Sequence, residues 1–289
     1  MIPPFDYIIP ETLEEACNIL WEAGKGVGVI AGGTDLVIGL RNGDHSPRLL
    51  IDITRIPELR KIEEQDGRIL IGAAVTHSEI VSSPLLKKYG KILSDAASVI
   101  GSPQIRNLGT IGGNIVNASP AADSLPPLMV LNAVGKIVSR EGAREAPLDQ
   151  LFKGPYETNL KPHEILVHIG FEKLSSVMRS SFIRLARREA MAIARMSMAV
   201  VLRIERSSNL IKDIRISPGA VMPRPQRMPE VEDFLKGKSP DEAILKTASQ
   251  KVSGVMVLTS GVRSSTPYKA PVVEALFLRA MRSCLEDRG

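Results

Sequence analysis

Residues 105–123 read IRNLGTIGGNIVNASPAAD. Glycine, asparagine and serine crowd this stretch, and neither a helical nor a strand period runs through it. Ile105, Leu108, Ile111, Ile115 and Val116 are interleaved with them, which predicts a buried, ordered ligand-binding loop rather than a disordered one. At Gly112-Gly113 two side chains are missing, so main-chain N–H groups there can approach an anion, and the Thr110 hydroxyl adds a donor. A bend of the same kind, Ala31-Gly32-Gly33-Thr34-Asp35, follows a predicted strand. Taken singly, each reads equally as a tight turn; together they are expected to clasp one pyrophosphate from two sides. Neither glycine bend holds Lys or Arg, and the chain has no GxxxxGK[ST], so no residue is placed to carry an ATPase mechanism.

Outward from these bends the chain alternates predicted helices and strands. Thr12 and Glu15 form a capping box, and Leu13, Ala16, Cys17 and Leu20 keep helical spacing until Gly24. Gly26-Val27-Gly28-Val29-Ile30-Ala31 spells GxGxxG/A, but it follows a helix and becomes a strand, the reverse of the dinucleotide context. Residues 49–53 and 69–73 read as strands, Thr76 with Glu79 opens a short helix through Val81, and 92–100 is helical. After Phe171, strands are predicted at 182–187, 198–205 and 211–217. Ser239-Pro240-Asp241-Glu242 reads as a helix start with Pro at the first position, and 268–285 as a final helix. A domain boundary is placed near residue 175, giving units 1–175 and 176–289.

Length and composition bound the rest. At 289 residues the chain is two domains or one large one. Hydrophobic residues at 44% and charged residues at 24% describe an ordinary globular composition. No apolar run reaches the roughly 18 residues of a membrane helix, and the first residues lack a basic region before an apolar core, so a cytoplasmic location is expected. A net charge of +5 permits an acidic partner, yet aromatic residues are only 4%, which argues against nucleic acid. The densest basic stretch, Arg179, Arg184, Arg187, Arg188 and Arg195, alternates with apolar residues as a folded element does; it reads as a solvated face or as a surface for a partner. Cys17 and Cys284 stand far apart on predicted helical stripes, and His45, His77, His163 and His168 are scattered, so no metal site is expected. No Ser/His/Asp or Cys/His arrangement stands out, so no catalytic residue is assigned.

AGGTDL (31–36), IGAAVTHSEI (71–80), the 105–123 stretch and FIRLARREAMAIA (182–194) together resemble the FAD-binding medium subunit of molybdenum hydroxylases. Members of that family include the flavoprotein subunits of carbon monoxide, nicotinate and xanthine dehydrogenases. The resemblance covers nearly the whole chain, and TIGGN with NASPAAD is its most specific part. It implies an α+β fold, in which a vanillyl-alcohol-oxidase-like (PCMH) FAD-binding region of two subdomains, about 1–55 and 56–175, precedes a smaller α/β C-terminal domain. Ala31, Gly32, Gly33, Thr34 and Asp35, with Thr110, Gly112, Gly113 and Asn114, are then implied to hold the pyrophosphate and ribityl region of FAD. Asp123 is implied to accept from cofactor hydroxyls, where a bare reading makes it a helix N-cap. Leu166 is implied to touch flavin or adenine through its main chain, and is otherwise plain core.

Arg184 matches a position where related chains carry Lys near the flavin N1–C2 edge, and a cation there raises the flavin potential. Its alternative is a strand-surface arginine. Ile193 matches a residue that shields one isoalloxazine face, with core packing as the alternative, and His77 reads as structural. Some relatives insert a four-iron segment, which two lone cysteines cannot ligate. The resemblance implies electron transfer in a complex with a small iron–sulfur subunit carrying two-iron clusters and a large molybdopterin subunit, as a dimer of heterotrimers. NAD+, a quinone or another acceptor would receive the electrons. The rival reading is a stand-alone FAD-dependent oxidoreductase of the vanillyl-alcohol oxidase superfamily, and a second is an assembly subunit without cofactor.

Overall fold

The computed structural model describes residues 4–188 and 191–286. Glu189 and Ala190, within FIRLARREAMAIA, lie outside the described residues, as do three residues at each end. The chain opens on β1 (Asp6–Ile8), α1 (Leu13–Ala23), β2 (Val27–Ile30), α2 (Leu36–Asn42) and β3 (Leu49–Asp52). β3 lies between β1 and β2 and pairs parallel with both, the helices serving as the crossovers that parallel strands require. Thr12 caps α1 by accepting from the Glu15 amide at 3.1 Å, and the helix stops at Gly24 with φ 65°. The expected box is only half made, because Glu15 Oε2 accepts from the Glu11 amide instead. Gly26 turns the chain at φ 79° into β2, so the GxGxxA spelling is a strand entry.

β4 (Ile62–Gln65) and β5 (Arg68–Gly72) are followed by six helices: α3 (His77–Ser82), α4 (Pro84–Tyr89), α5 (Lys91–Ser98), α6 (Pro103–Leu108), α7 (Ile111–Asn117) and α8 (Leu125–Val130). Then come β6 (Val134–Ser139), β7 (Gly142–Pro147), the hairpin β8 (Phe152–Gly154) and β9 (Glu157–Thr158), and β10 (Ile165–Glu172). β10 is the central strand of an antiparallel sheet ordered β4-β5-β10-β6-β7. Residues 105–123 correct the sequence expectation: they contain most of α6 and all of α7 rather than a periodless loop. Each helix is under two turns, too short to display a 3.6-residue period. The legible signals are their caps, Ser102 before Pro103 and Thr110 before Ile111.

The last third is an antiparallel meander, β11 (Arg179–Leu185), β12 (Met196–Glu205) and β13 (Leu210–Gly219), packed against α9 (Pro229–Leu235), α10 (Glu242–Ser260) and α11 (Thr266–Glu286). α10 starts later than expected. Asp241 accepts from the Ile244 amide at 2.9 Å and is the cap, leaving Pro240 ahead of the helix. β12 is buried on both faces, as its run MSMAVVL requires. Met196, Met198, Val200 and Leu202 join the core under α9, α10 and α11, whereas Ala199 and Val201 join the core of the preceding region beside α5 and α8. Cys17 and Cys284 are buried in two different cores. No helix among the described residues is long and apolar enough to cross a membrane.

Candidate functional site

The two glycine bends touch. A Cβ built on Gly32 would stand 1.9 Å from the Leu108 carbonyl oxygen, so only glycine lets residue 32 lie against the end of α6. On Gly109 it would stand 3.4 Å from both His77 Cδ2 and Thr34 Oγ1, placing the three residues at one junction. Gly112 is closed in by β5's end: its Cβ would meet the Ala73 carbonyl at 2.6 Å, and its amide donates to that oxygen at 2.9 Å. Gly113 differs. A Cβ there meets only Thr110 Oγ1, at 3.0 Å.

Between the bends and the turn before β10 lies a cleft of about 440 Å³. The bends do not contribute to it alike. In α7 the Ile111 amide donates to Val75 O at 2.9 Å, Gly112 to Ala73 O, and Gly113 to Thr110 Oγ1 at 3.1 Å. These donors are spent within the protein. In the first bend the amides of Gly32, Gly33, Thr34 and Asp35 have no partner among the described residues. Gly33, at φ 67°, gives this bend its left-handed turn. An anion in the cleft therefore meets main-chain donors chiefly from 31–35. Asn114 adds a side-chain donor, because its Oδ1 takes the Ser124 hydroxyl at 2.5 Å and leaves Nδ2 to donate.

Ala31, Gly32, Gly33, Thr34, Asp35, Thr110, Gly112, Gly113, Asn114 and Leu166 all line the cleft. Asp123 and Arg184 do not. They face each other, Arg184 Nε to Asp123 Oδ2 at 3.0 Å, with side chains only 8% and 7% exposed. Arg184 also donates to the Ala192 carbonyl, so it is not a strand-surface arginine. Asp123 is no N-cap either, since Ser124 precedes α8 and no side chain caps it. Burial pushes the Asp123 carboxyl up to about 6 against the opposing pull of Arg184, and its Oδ1 has no partner among the described residues. Ile193 is 82% exposed, which removes the core-packing alternative.

Other lining residues are not assigned to the site by the sequence. Lys161 is the only Lys or Arg among the described lining residues. Its turn is tied by Glu164, whose carboxylate accepts from the Lys161 amide at 2.9 Å and from Arg144 at 2.8 and 2.7 Å. His77, 2% exposed, lies in the wall with Nδ1 unpartnered. Burial first, and Arg106 second, lower its pKa to about 4, so the ring is neutral near pH 7. Leu20, Val27, Val29 and Ile53 give the cleft an apolar end. Unpartnered amides and an apolar slot match a dianionic pyrophosphate joined to an aromatic ring, and so fit FAD.

Comparison with known proteins agrees. The family described as the FAD binding domain in molybdopterin dehydrogenase matches residues 3–171, and the CO dehydrogenase flavoprotein C-terminal domain matches 181–284. The glyceraldehyde dehydrogenase medium chain of Sulfolobus acidocaldarius is 32% identical, over 98% of this chain and 99% of its own. The carbon monoxide dehydrogenase medium chain of Hydrogenophaga pseudoflava is 31% identical, over 98% of both chains. Among solved structures, a chain of carbon monoxide dehydrogenase from H. pseudoflava, in a form lacking the Mo-pyranopterin moiety of the molybdenum cofactor, superimposes with a TM-score of 0.92. It is 29% identical, with 99% of each chain covered.

Proposed function

The chain belongs to the FAD-binding medium subunits of the molybdopterin dehydrogenases, oxidoreductase components that carry FAD, and we propose that it relays electrons within such a complex. When bound, FAD supplies the redox chemistry, exchanging electrons between two-iron clusters of a small partner subunit and NAD+ or another acceptor. A large molybdopterin subunit is the source of the electrons, the assembly is a dimer of heterotrimers, and the compartment is the cytoplasm. This chain's residues bind and orient. The amides of Gly32, Gly33, Thr34 and Asp35 receive the pyrophosphate, with Ala31 and Gly113 keeping its approach clear. Thr110, Gly112 and Asn114 form the facing wall, and the main chain at Leu166 borders the ring system. Asn114 is held by the Ser124 hydroxyl, and Asp123, next to Ser124, pairs with Arg184 outside the cleft lining.

The observation that carries this reading is the row of unpartnered amides facing a second glycine bend across one cleft. The purified protein should show flavin absorption and co-elute with iron-containing and molybdenum-containing chains. Colourless protein that takes up no FAD in titration would overturn it. Acceptor choice is read by mixing the reduced complex with NAD+ or a quinone and following reoxidation of the flavin bands.

A further inference from the structure

His77 lines the cleft wall and has no task in the proposed function. It opens α3, its amide donates to the Gly109 carbonyl at 3.0 Å, and its ring edge lies beside Gly109 across from Thr34. It thus sits where the two bends converge. A neutral imidazole has one N–H donor and one acceptor nitrogen. Nδ1 is buried with no partner, and Nε2 finds none among the described residues. Nε2, unpartnered yet not closed off as Nδ1 is, is the ring nitrogen open to the cleft, where a ligand can supply the partner that polar atoms in native proteins nearly always have. Burial and the nearby Arg106 keep the ring uncharged, so it offers an N–H without competing for a proton.

We propose that His77 contacts the cofactor, its neutral imidazole donating a hydrogen bond through Nε2 to a pyrophosphate oxygen of FAD. The proposal rests on the FAD reading and adds a donor from α3 to those of residues 31–35. A purely structural histidine would need only to fill space beside Gly109.

The test uses the assembled complex, stripped of flavin with concentrated bromide and titrated with FAD while flavin fluorescence quenching is followed. His77→Leu keeps the volume and loses both nitrogens; His77→Gln keeps a donor. The Leu variant should bind FAD about tenfold or more weakly, as the loss of one hydrogen bond to a charged group implies, with Gln within about threefold of wild type. The flavin-free Leu variant should unfold at or above the wild-type temperature, because it removes an orphaned polar atom. Equal affinity in all three proteins, or equal loss in both variants, overturns the proposal and leaves the FAD reading standing. Wild-type protein that takes up no FAD overturns the reading itself. A second measurement needs no mutation: deuterium exchange at the His77 C2 position, followed by mass spectrometry, should slow when FAD is added. An unchanged rate overturns the proposal.

Discussion

One methyl group separates two uses of glycine in this cleft. Adding it at Gly32 puts a carbon 1.9 Å from the Leu108 carbonyl, and backbone cannot yield as a side chain tip would. Gly32→Ala should therefore push the bends apart and cost about 2 kcal/mol or more, as overpacking does. At Gly113 the added carbon meets only Thr110 Oγ1, so Gly113→Val should fold, with a stability change of about 1 kcal/mol, yet fill the phosphate approach and release FAD. Melting the flavin-free variants separates the two cases: both lose FAD, and only the first loses stability. The buried pair beside the cleft gives a pH-dependent outcome. Asp123 has its folded pKa raised to about 6, and Arg184 is what holds it that low. Arg184→Met should cost roughly 3–5 kcal/mol at pH 8, where Asp123 must either stay ionised without a partner or take up a proton its unfolded form does not hold, and the cost should shrink as pH falls. Urea midpoints at pH 8 and pH 5 check it. His77 has the opposite sign. Its folded pKa of about 4 lies below its ordinary 6.5, so its stability is whole above 6.5 and is lost as pH falls through 4. The total is about 3 kcal/mol, and His77→Gln should flatten the stability curve across that window.

At the scale of elements, the caps decide what the cleft wall looks like. Thr76 caps α3 in a complete box: the Thr76 amide donates to Glu79 Oε2 at 2.7 Å, and the Glu79 amide to Thr76 Oγ1 at 3.2 Å. Thr110 caps α7, and the two threonines pair in an antiparallel bridge, so both helices start side by side. Thr76 does not line the cleft. Thr76→Ala should cost about 1 kcal/mol and lower the melting temperature by about 2–4 °C with FAD affinity unchanged, which a melt and a titration read together. Elements marked by a capping signal or a long apolar stripe were legible in the sequence: α1 between Thr12 and Gly24, the short α3 at its box, and the stripe of α11. α6 and α7 were not, because six or seven residues cannot display a period, and the glycines that allow close packing read as loop. The site divides the same way. Glycine bends can be read locally, whereas Lys161 reaches the cleft only because β10 pairs antiparallel with β5, setting His168 opposite Gly72 and carrying 161–166 to the end of that strand. The Asp123–Arg184 pair was hidden for the same reason, its members lying in different sheets' territory.

The division near residue 175 that we propose separates two sheets, not two independent folding units. β12 has a two-residue period with apolar side chains on both faces, and its Ala199 and Val201 complete the core that holds Ile111, Leu125 and Leu128. Polar ties cross the same seam. Arg227 donates to Asn132 Oδ1 at 2.6 Å while the buried Glu232 accepts from its Nε at 3.0 Å, and Arg215 donates to the Val130 carbonyl at 3.3 Å, near the end of α8. Arg184, on β11, reaches across to Asp123. A fragment ending at residue 175 would keep both glycine bends in its sequence, yet expose the apolar faces of α5 and α8 and leave Asp123 without its counter-ion. Exposed apolar surface of that kind drives association. The fragment should elute as aggregate, lack a cooperative melt and take up no FAD. Supplying residues 176–289 as a second chain during refolding should restore a soluble species that binds it. Size-exclusion chromatography with flavin absorbance decides the matter, and a monomeric 1–175 fragment that binds FAD by itself would refute the argument. The cleft is formed by the first region, but Ile111 behind its wall shares a core with Ala199 and Val201 of the second, so FAD retention should require the whole chain.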